Sequence, residues 1–207
     1  MLRRGLLVAG LAAVASFASA LTYTFDTDNQ GWRQADFNQS TFQLTFIGPS
    51  TWTAPGQIEE NDFANWAFDV SPNLAGGLQG SPSISFDYSA DATDNQAYPF
   101  LVLAAPTEAI YVEQIPTADG AYHHYSYSLT DPTGWKHADI GGFRAATQAD
   151  IDNVLTSLVL IGVDADTLSG ADHTRLDNVQ LGAVPEPMTM LGLAAMAALV
   201  RARKRRA

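Results

Sequence analysis

Apolar residues spaced two apart recur along this chain and constrain its fold more than any other feature. Tyr23 and Phe25 form one set; Phe42, Leu44 and Phe46 a second; Trp66, Phe68 and Val70 a third. Ile84, Phe86 and Tyr88 follow, then Tyr125, Tyr127 and Leu129. That period places every second side chain on one face of a half-buried strand. PFLVLAA (99–105) and SLVLIGVD (157–164) are instead continuous apolar runs, suited to strands covered on both faces or central in a sandwich. Turn-rich stretches such as SPNLAGGLQGSP and ADATDNQ separate them. The expectation is an all-β domain of two packed sheets.

One segment departs from that period. In TQADIDNVLTSL, Thr147 can cap a helix, Asp150 stands at the third position of a capping box, and Ile151, Val154, Leu155 and Leu158 recur at helical spacing. A short helix is predicted near 148–157, with Asp150 and Asp152 favouring its N-terminal end through the helix dipole.

The two ends read differently from the middle. Arg3 and Arg4, the apolar run from Leu6 to Phe17, and Ala18-Ser19-Ala20 follow the order of a secretory signal, with cleavage after Ala20. At the other end, an apolar run from Met188 to Val200 precedes Arg201, Arg203, Lys204, Arg205 and Arg206. As a helix this run would span about 20 Å against the roughly 30 Å hydrocarbon core, a marginal crossing whose basic flank stays cytoplasmic. Without these ends only Arg33, Lys136, Arg144 and Arg175 remain, against all of the 22 acids except Glu186, a net charge of −17. Such a surface repels nucleic acid and anionic lipid. There are no cysteines, so an exported domain of roughly 160 residues must stand on its core, on metal, or on both. One domain is expected, over residues 21–183, between a signal peptide (1–20) and a tail (184–207).

The tail combines Val184-Pro185-Glu186-Pro187, an apolar segment and an arginine cluster at the terminus, and it resembles the PEP-CTERM sorting signal of Gram-negative bacteria. The resemblance implies a single C-terminal hydrophobic helix, transient membrane insertion and recognition by an exosortase-type enzyme. It also implies release or attachment at the cell surface, outer membrane or matrix of an organism that makes extracellular polysaccharide.

Three blocks carry a second resemblance. YTFDTDNQGW, then GQIEENDFANWAFDVSPNLAGGLQGSPSISFDYS, then ATQADIDNVLTSLVLIGVDADTLSGADHTRLDNVQLG are similar, in that order, to the laminin IV type A (laminin B) domain. This implies an extracellular jelly-roll sandwich of the galactose-binding type with no assigned catalytic activity. In related jelly rolls, carboxylates from the first and last strands share a structural calcium ion, which would fall here to Asp26 and Asp177. Oxygen ligands in an acidic, cysteine-free domain suit Ca²⁺. The alternative is that Asp26 and Asp28 cap a turn and that Asp177 bonds backbone at a bulge. An EF-hand is excluded, because Asp26, Asp28, Gln30 and Gly31 open such a loop but Phe37 stands at its twelfth position.

Little suggests catalysis. His123 and His124 are adjacent and would point to opposite faces of a strand, so they do not make a zinc site with His137 and His173. Glu59, Glu60 and the scattered aspartates nominate no particular acid and base pair, and no nucleophile or phosphate-loop motif occurs. Sugars stack on aromatic rings, which leaves the tryptophans. Trp32 and Trp66 read as core, whereas Trp52 and Trp135, in GPSTWTAP and DPTGWKH, read as exposed candidates for ligand contact. The functional expectation is an exported, non-enzymatic surface or matrix protein that binds or associates with extracellular polysaccharide, the alternatives being a purely structural, calcium-stabilised surface module with no ligand and a glycan-active hydrolase.

Overall fold

The computed structural model describes residues 20–38, 43–61, 67–168 and 170–182. Ala18, Val184 to Pro187, the apolar tail segment and Trp66 lie outside them; Ala20 stands exposed immediately before the first strand. Among the described residues no helix is long and apolar enough to cross a membrane.

Among the described residues, fourteen strands and one helix occur in the order β1 (Leu21–Tyr23), β2 (Arg33–Asn38), β3 (Gln43–Pro49), β4 (Thr51–Thr53), β5 (Gln57–Asn61), β6 (Ala67–Val70), β7 (Ser83–Ala90), β8 (Tyr98–Ala104), β9 (Glu108–Gln114), β10 (His123–Ser128), β11 (Lys136–Asp139), β12 (Gly142–Ala145), α1 (Gln148–Thr156), β13 (Leu160–Asp164) and β14 (His173–Leu181). They make two antiparallel sheets. The smaller runs β10-β7-β14-β5-β4, with β1 also paired to β14; the larger runs β12-β11-β9-β8-β13-β6-β2-β3. The expected two-sheet sandwich is therefore the fold.

Alternation explains how the sheets meet. Ile84, Phe86 and Tyr88 of β7, with Ile58 and Leu176, face Leu101, Leu103, Ile110, Ile161 and Val163 of the larger sheet, and all are buried. Full burial of each such side chain contributes about 1.5–3 kcal/mol. Phe86 lies amid Phe100, Tyr125, Tyr127 and Tyr88, with ring centroids at 5.5, 5.8, 6.2 and 6.5 Å.

The predicted helix forms as the sequence dictates. Thr147 caps it, its hydroxyl accepting from the Asp150 N–H, while Asp150 accepts from the Thr147 N–H, which satisfies otherwise orphaned donors. Ile151, Val154, Leu155 and Leu158 all enter the core.

Two local features depart from the sequence expectation. β1 ends at Tyr23, and Phe25 takes a left-handed backbone (φ 50°) that a bulky residue rarely adopts. Its ring is held edge-on to Trp32 at 5.5 Å, and its carbonyl accepts the Trp52 indole N–H at 2.6 Å. The two continuous apolar runs become β8 and β13, adjacent in the larger sheet, and among the described residues no second sheet lies over their outer face.

Candidate functional site

That outer face carries a groove of about 1310 Å³. Its floor is laid by the residues that alternation turns away from the core: Phe68 and Val70 from β6, Leu160 and Gly162 from β13, Val102 and Ala104 from β8, and Ala109 and Tyr111 from β9. Small residues keep the floor low. A Cβ on Gly162 would meet the Phe68 ring at 3.4 Å and Val70 at 3.5 Å, so these two buried side chains pack closely over the glycine.

Aromatic rings and charges stand along the sides. Phe143, on β12, is 61% exposed, and its ring meets Tyr111 edge-on at 6.1 Å. Tyr98 borders the groove with its hydroxyl donated to Asp94 at 2.9 Å, a bond that raises its pKa. Burial, and then the Glu113 carboxylate, raise that of Tyr111. Lys136 pairs with Glu113 at 2.5 Å, and Glu108, Asp139 and Arg144 mark the end nearest the helix. An apolar floor flanked by aromatic faces and a few hydrogen-bonding groups has the chemistry that ligand grooves share. Its volume exceeds the usual 300–1,000 Å³ of small-molecule pockets, so it suits an extended ligand.

Beneath that end, His137 is buried, and its Nε2 lies 2.9 Å from Glu108 Oε2 and 3.9 Å from Asp150 Oδ1. Glu108, His137 and Asp150 offer ligand atoms within 4.8 Å of one another, the spacing a metal ion needs. Arg144, however, grips both Asp150 oxygens at 2.6 and 2.7 Å and fills the place of a cation with its guanidinium. The trio ties β9 and β11 to the helix start.

The tryptophans divide unexpectedly. Trp32 is core, as expected. Trp135 is not exposed: the turn before it, with Gly134 at φ 85°, folds the chain back so that the ring packs against Tyr127 at 6.2 Å. Its indole N–H donates to the Ser128 carbonyl at 2.7 Å and only 3% of the residue remains accessible, which corrects the expectation that it is exposed, although Trp135 lies along the lining of the groove. Trp52 is partly exposed on β4, the edge of the smaller sheet, and stands on a different sheet from the groove. His123 and His124 point to opposite faces, as adjacent strand residues must, and pair separately with Asp119 and Asp87.

Asp26 follows β1, and Asp177 lies where β14 shifts register, with Asn178 left-handed (φ 51°). Asn178 donates its N–H to Asp177 Oδ1 at 2.6 Å and its side-chain amide to Asp87 at 2.8 Å. Burial first, then the charges of Asp87 and Asp26, raise the Asp177 pKa, so the three carboxylates share one neighbourhood. Asp28 accepts from the Gln30 N–H at 2.8 Å, which is the turn-capping role.

No protein-family model matches the sequence, and no curated protein matches it. Among solved structures, the L4b domain of human laminin alpha-2 is similar, with a TM-score of 0.61 at 13% identity, over 81% of this chain and 98% of that one. The family 11 carbohydrate-binding module of the cellulosomal cellulase Lic26A-Cel5E of Clostridium thermocellum is also similar, with a TM-score of 0.52 at 13% identity, over 81% of this chain and 97% of that one. The domain is thus a laminin-like β-sandwich, and the likeness is one of fold.

Proposed function

We propose that the domain is a non-enzymatic module that binds an extended polysaccharide in the groove of the larger sheet. The observation that carries this reading is the groove itself, with its apolar floor, Phe143 and Tyr111 at one side, and Lys136, Glu108 and Asp139 within reach of hydroxyls. Sugar rings offer apolar C–H faces to aromatic side chains and hydroxyls to charged ones, and an open groove admits a polymer along its length. The fold shared with a carbohydrate-binding module supports the reading. Replacing Phe143 by alanine is expected to weaken polysaccharide affinity at least tenfold, about 1.4 kcal/mol, read as restored mobility in affinity gels. The melting temperature should stay within about 1–2 °C, because an exposed ring adds little to folding.

In the same proposal the chain is exported through residues 1–20, with Ala18 and Ala20 at the cleavage site. It is then sorted by an exosortase-type enzyme that reads Val184-Pro185-Glu186-Pro187, and it resides at the bacterial surface or in the matrix. Loss of the sorting enzyme should leave residues 184–207 on the protein, a difference read directly by intact mass.

Calcium at Asp26 and Asp177 belongs to this proposal as a structural ion. What supports it is the chemistry of the donors: Asp177 lies where β14 shifts register against β7, the charges of Asp87 and Asp26 act on it, and carboxylate oxygens suit Ca²⁺. Chelation is expected to lower the melting temperature of the wild-type protein by several degrees and to leave an Asp26→Asn/Asp177→Asn variant much less affected. Equal shifts in both would remove calcium from this position.

A further inference from the structure

A second group of carboxylates lies at the end of the sandwich formed by β5, β6 and the β13–β14 loop. Glu60 faces inward from β5, opposite Thr174, and Asp69 projects from β6 opposite Val163. Asp164 ends β13, and Asp166 and Asp172 come from the loop after it. Glu60, Asp69, Asp164 and Asp172 are 3–8% exposed. Among the described residues none of the five forms an ion pair with a basic side chain, in contrast to Asp150 or Glu113. Asp172 is central: its charge acts on Glu60, Asp164, Asp166 and the Tyr88 hydroxyl.

Hydrogen bonds within the group are few. Asp69 accepts from the Ser50 hydroxyl at 2.6 Å, Asp164 from the Asp166 N–H at 3.2 Å, and Asp172 from the Thr167 N–H and hydroxyl at 2.7 and 2.9 Å. Glu60 accepts from the Asn61 backbone and Asp166 from the Leu168 backbone, but Glu60 Oε2 and Asp166 Oδ1 are sealed from solvent with no hydrogen-bond partner, and Glu60, 6% exposed, has Asp69 and Asp172 as its charged neighbours. Buried carboxylates are normally paired, hydrogen-bonded or bound to metal, and leaving one bare costs several kcal/mol. Burial lifts Glu60 to about 7, Asp166 to about 7 and Asp69 to about 6, the behaviour of acids that lack a positive partner.

We infer that this end of the sandwich binds a hydrated divalent cation, of the Ca²⁺ or Mg²⁺ class, with Glu60, Asp166 and Asp172 as its principal protein ligands. All available donors are hard oxygens, which exclude a preference for soft metals. No three of the carboxylates offer oxygens within 4.8 Å of one another, so the ion reaches some of them through retained water, as both cations readily do. The site is separate from Asp26 and Asp177, and it would join β5 and β6 to the loop before the last strand.

The test is calorimetric titration of the full, chelator-stripped chain with Ca²⁺ and, separately, Mg²⁺, in an Asp26→Asn/Asp177→Asn background. One divalent ion should still bind and raise the melting temperature. Adding Glu60→Gln should weaken that binding at least tenfold, as should adding Asp172→Asn. Glu60→Gln keeps the side-chain shape and disturbs no bond of Oε2, and circular dichroism reports that it is folded. Absence of any bound divalent ion in the folded background would overturn the site, and so would an affinity unchanged by Glu60→Gln. Preference for one metal over the other assigns the ion.

Discussion

Phe86→Ala is expected to destabilise the domain by about 3–5 kcal/mol, the usual cost of truncating a buried aromatic ring. Phe86 is fully buried between the sheets and touches rings from both: Phe100 from the larger, and Tyr88, Tyr125 and Tyr127 from the smaller. Those neighbours belong to rigid strands, so the cavity collapses poorly and the cost falls toward the upper end. Domains of this kind are stable by about 5–15 kcal/mol in total, and without disulfides this one has no covalent reserve. The melting temperature should fall on the order of 10 °C or more, measured by calorimetry. A drop as small as that expected for Phe143→Ala would mean that the two sheets do not meet where the buried rings place them.

Asp150→Ala is expected to cost about 2–4 kcal/mol, because one carboxylate serves two ends. It receives the Thr147 N–H and hydroxyl, which start the helix, and both guanidinium nitrogens of Arg144, which fix β12. Hydrogen bonds from Arg144 hold its pKa well below the ordinary carboxylate range, helped by those from Thr147. The folded value therefore lies below the unfolded one of about 3.9, and the folded state binds fewer protons in that interval. The stabilisation is complete above about pH 4 and is lost as pH falls through the depressed folded value. In denaturant titrations, the gap between wild type and Asp150→Asn should be wide at pH 6 and should narrow toward pH 2. A gap independent of pH would assign the loss to packing instead.

The helix was legible because its determinants are local: Thr147, Asp150 and the apolar residues after them specify cap and face within one short segment. The strands with clean alternation were legible for the same reason. The groove was not, because its floor draws ordinary apolar residues from four strands distant in sequence, and only strand order makes them neighbours. One signal was available. The two continuous apolar runs place apolar residues on both faces of β8 and β13, and the one helix among the described residues sends its apolar residues into the core between the sheets. Trp135 was misread because a glycine-containing turn suggests exposure, while the hydrogen bond from its indole to Ser128 depends on tertiary packing. The buried carboxylates around Asp172 were invisible as a group, since Glu60 and Asp69 arrive from other strands.

The central claim is that the outer face of the larger sheet receives polysaccharide. The most direct measurement is amide chemical-shift mapping of the isotopically labelled protein titrated with polysaccharide fractions from its own producing organism. The account predicts saturable shifts concentrated on the groove, at Tyr98, Val102, Tyr111, Ala138, Phe143 and Gly162, with few at Asp87, His124 or Trp52 on the smaller sheet. Shifts confined to the smaller sheet, or none with any fraction, would contradict it.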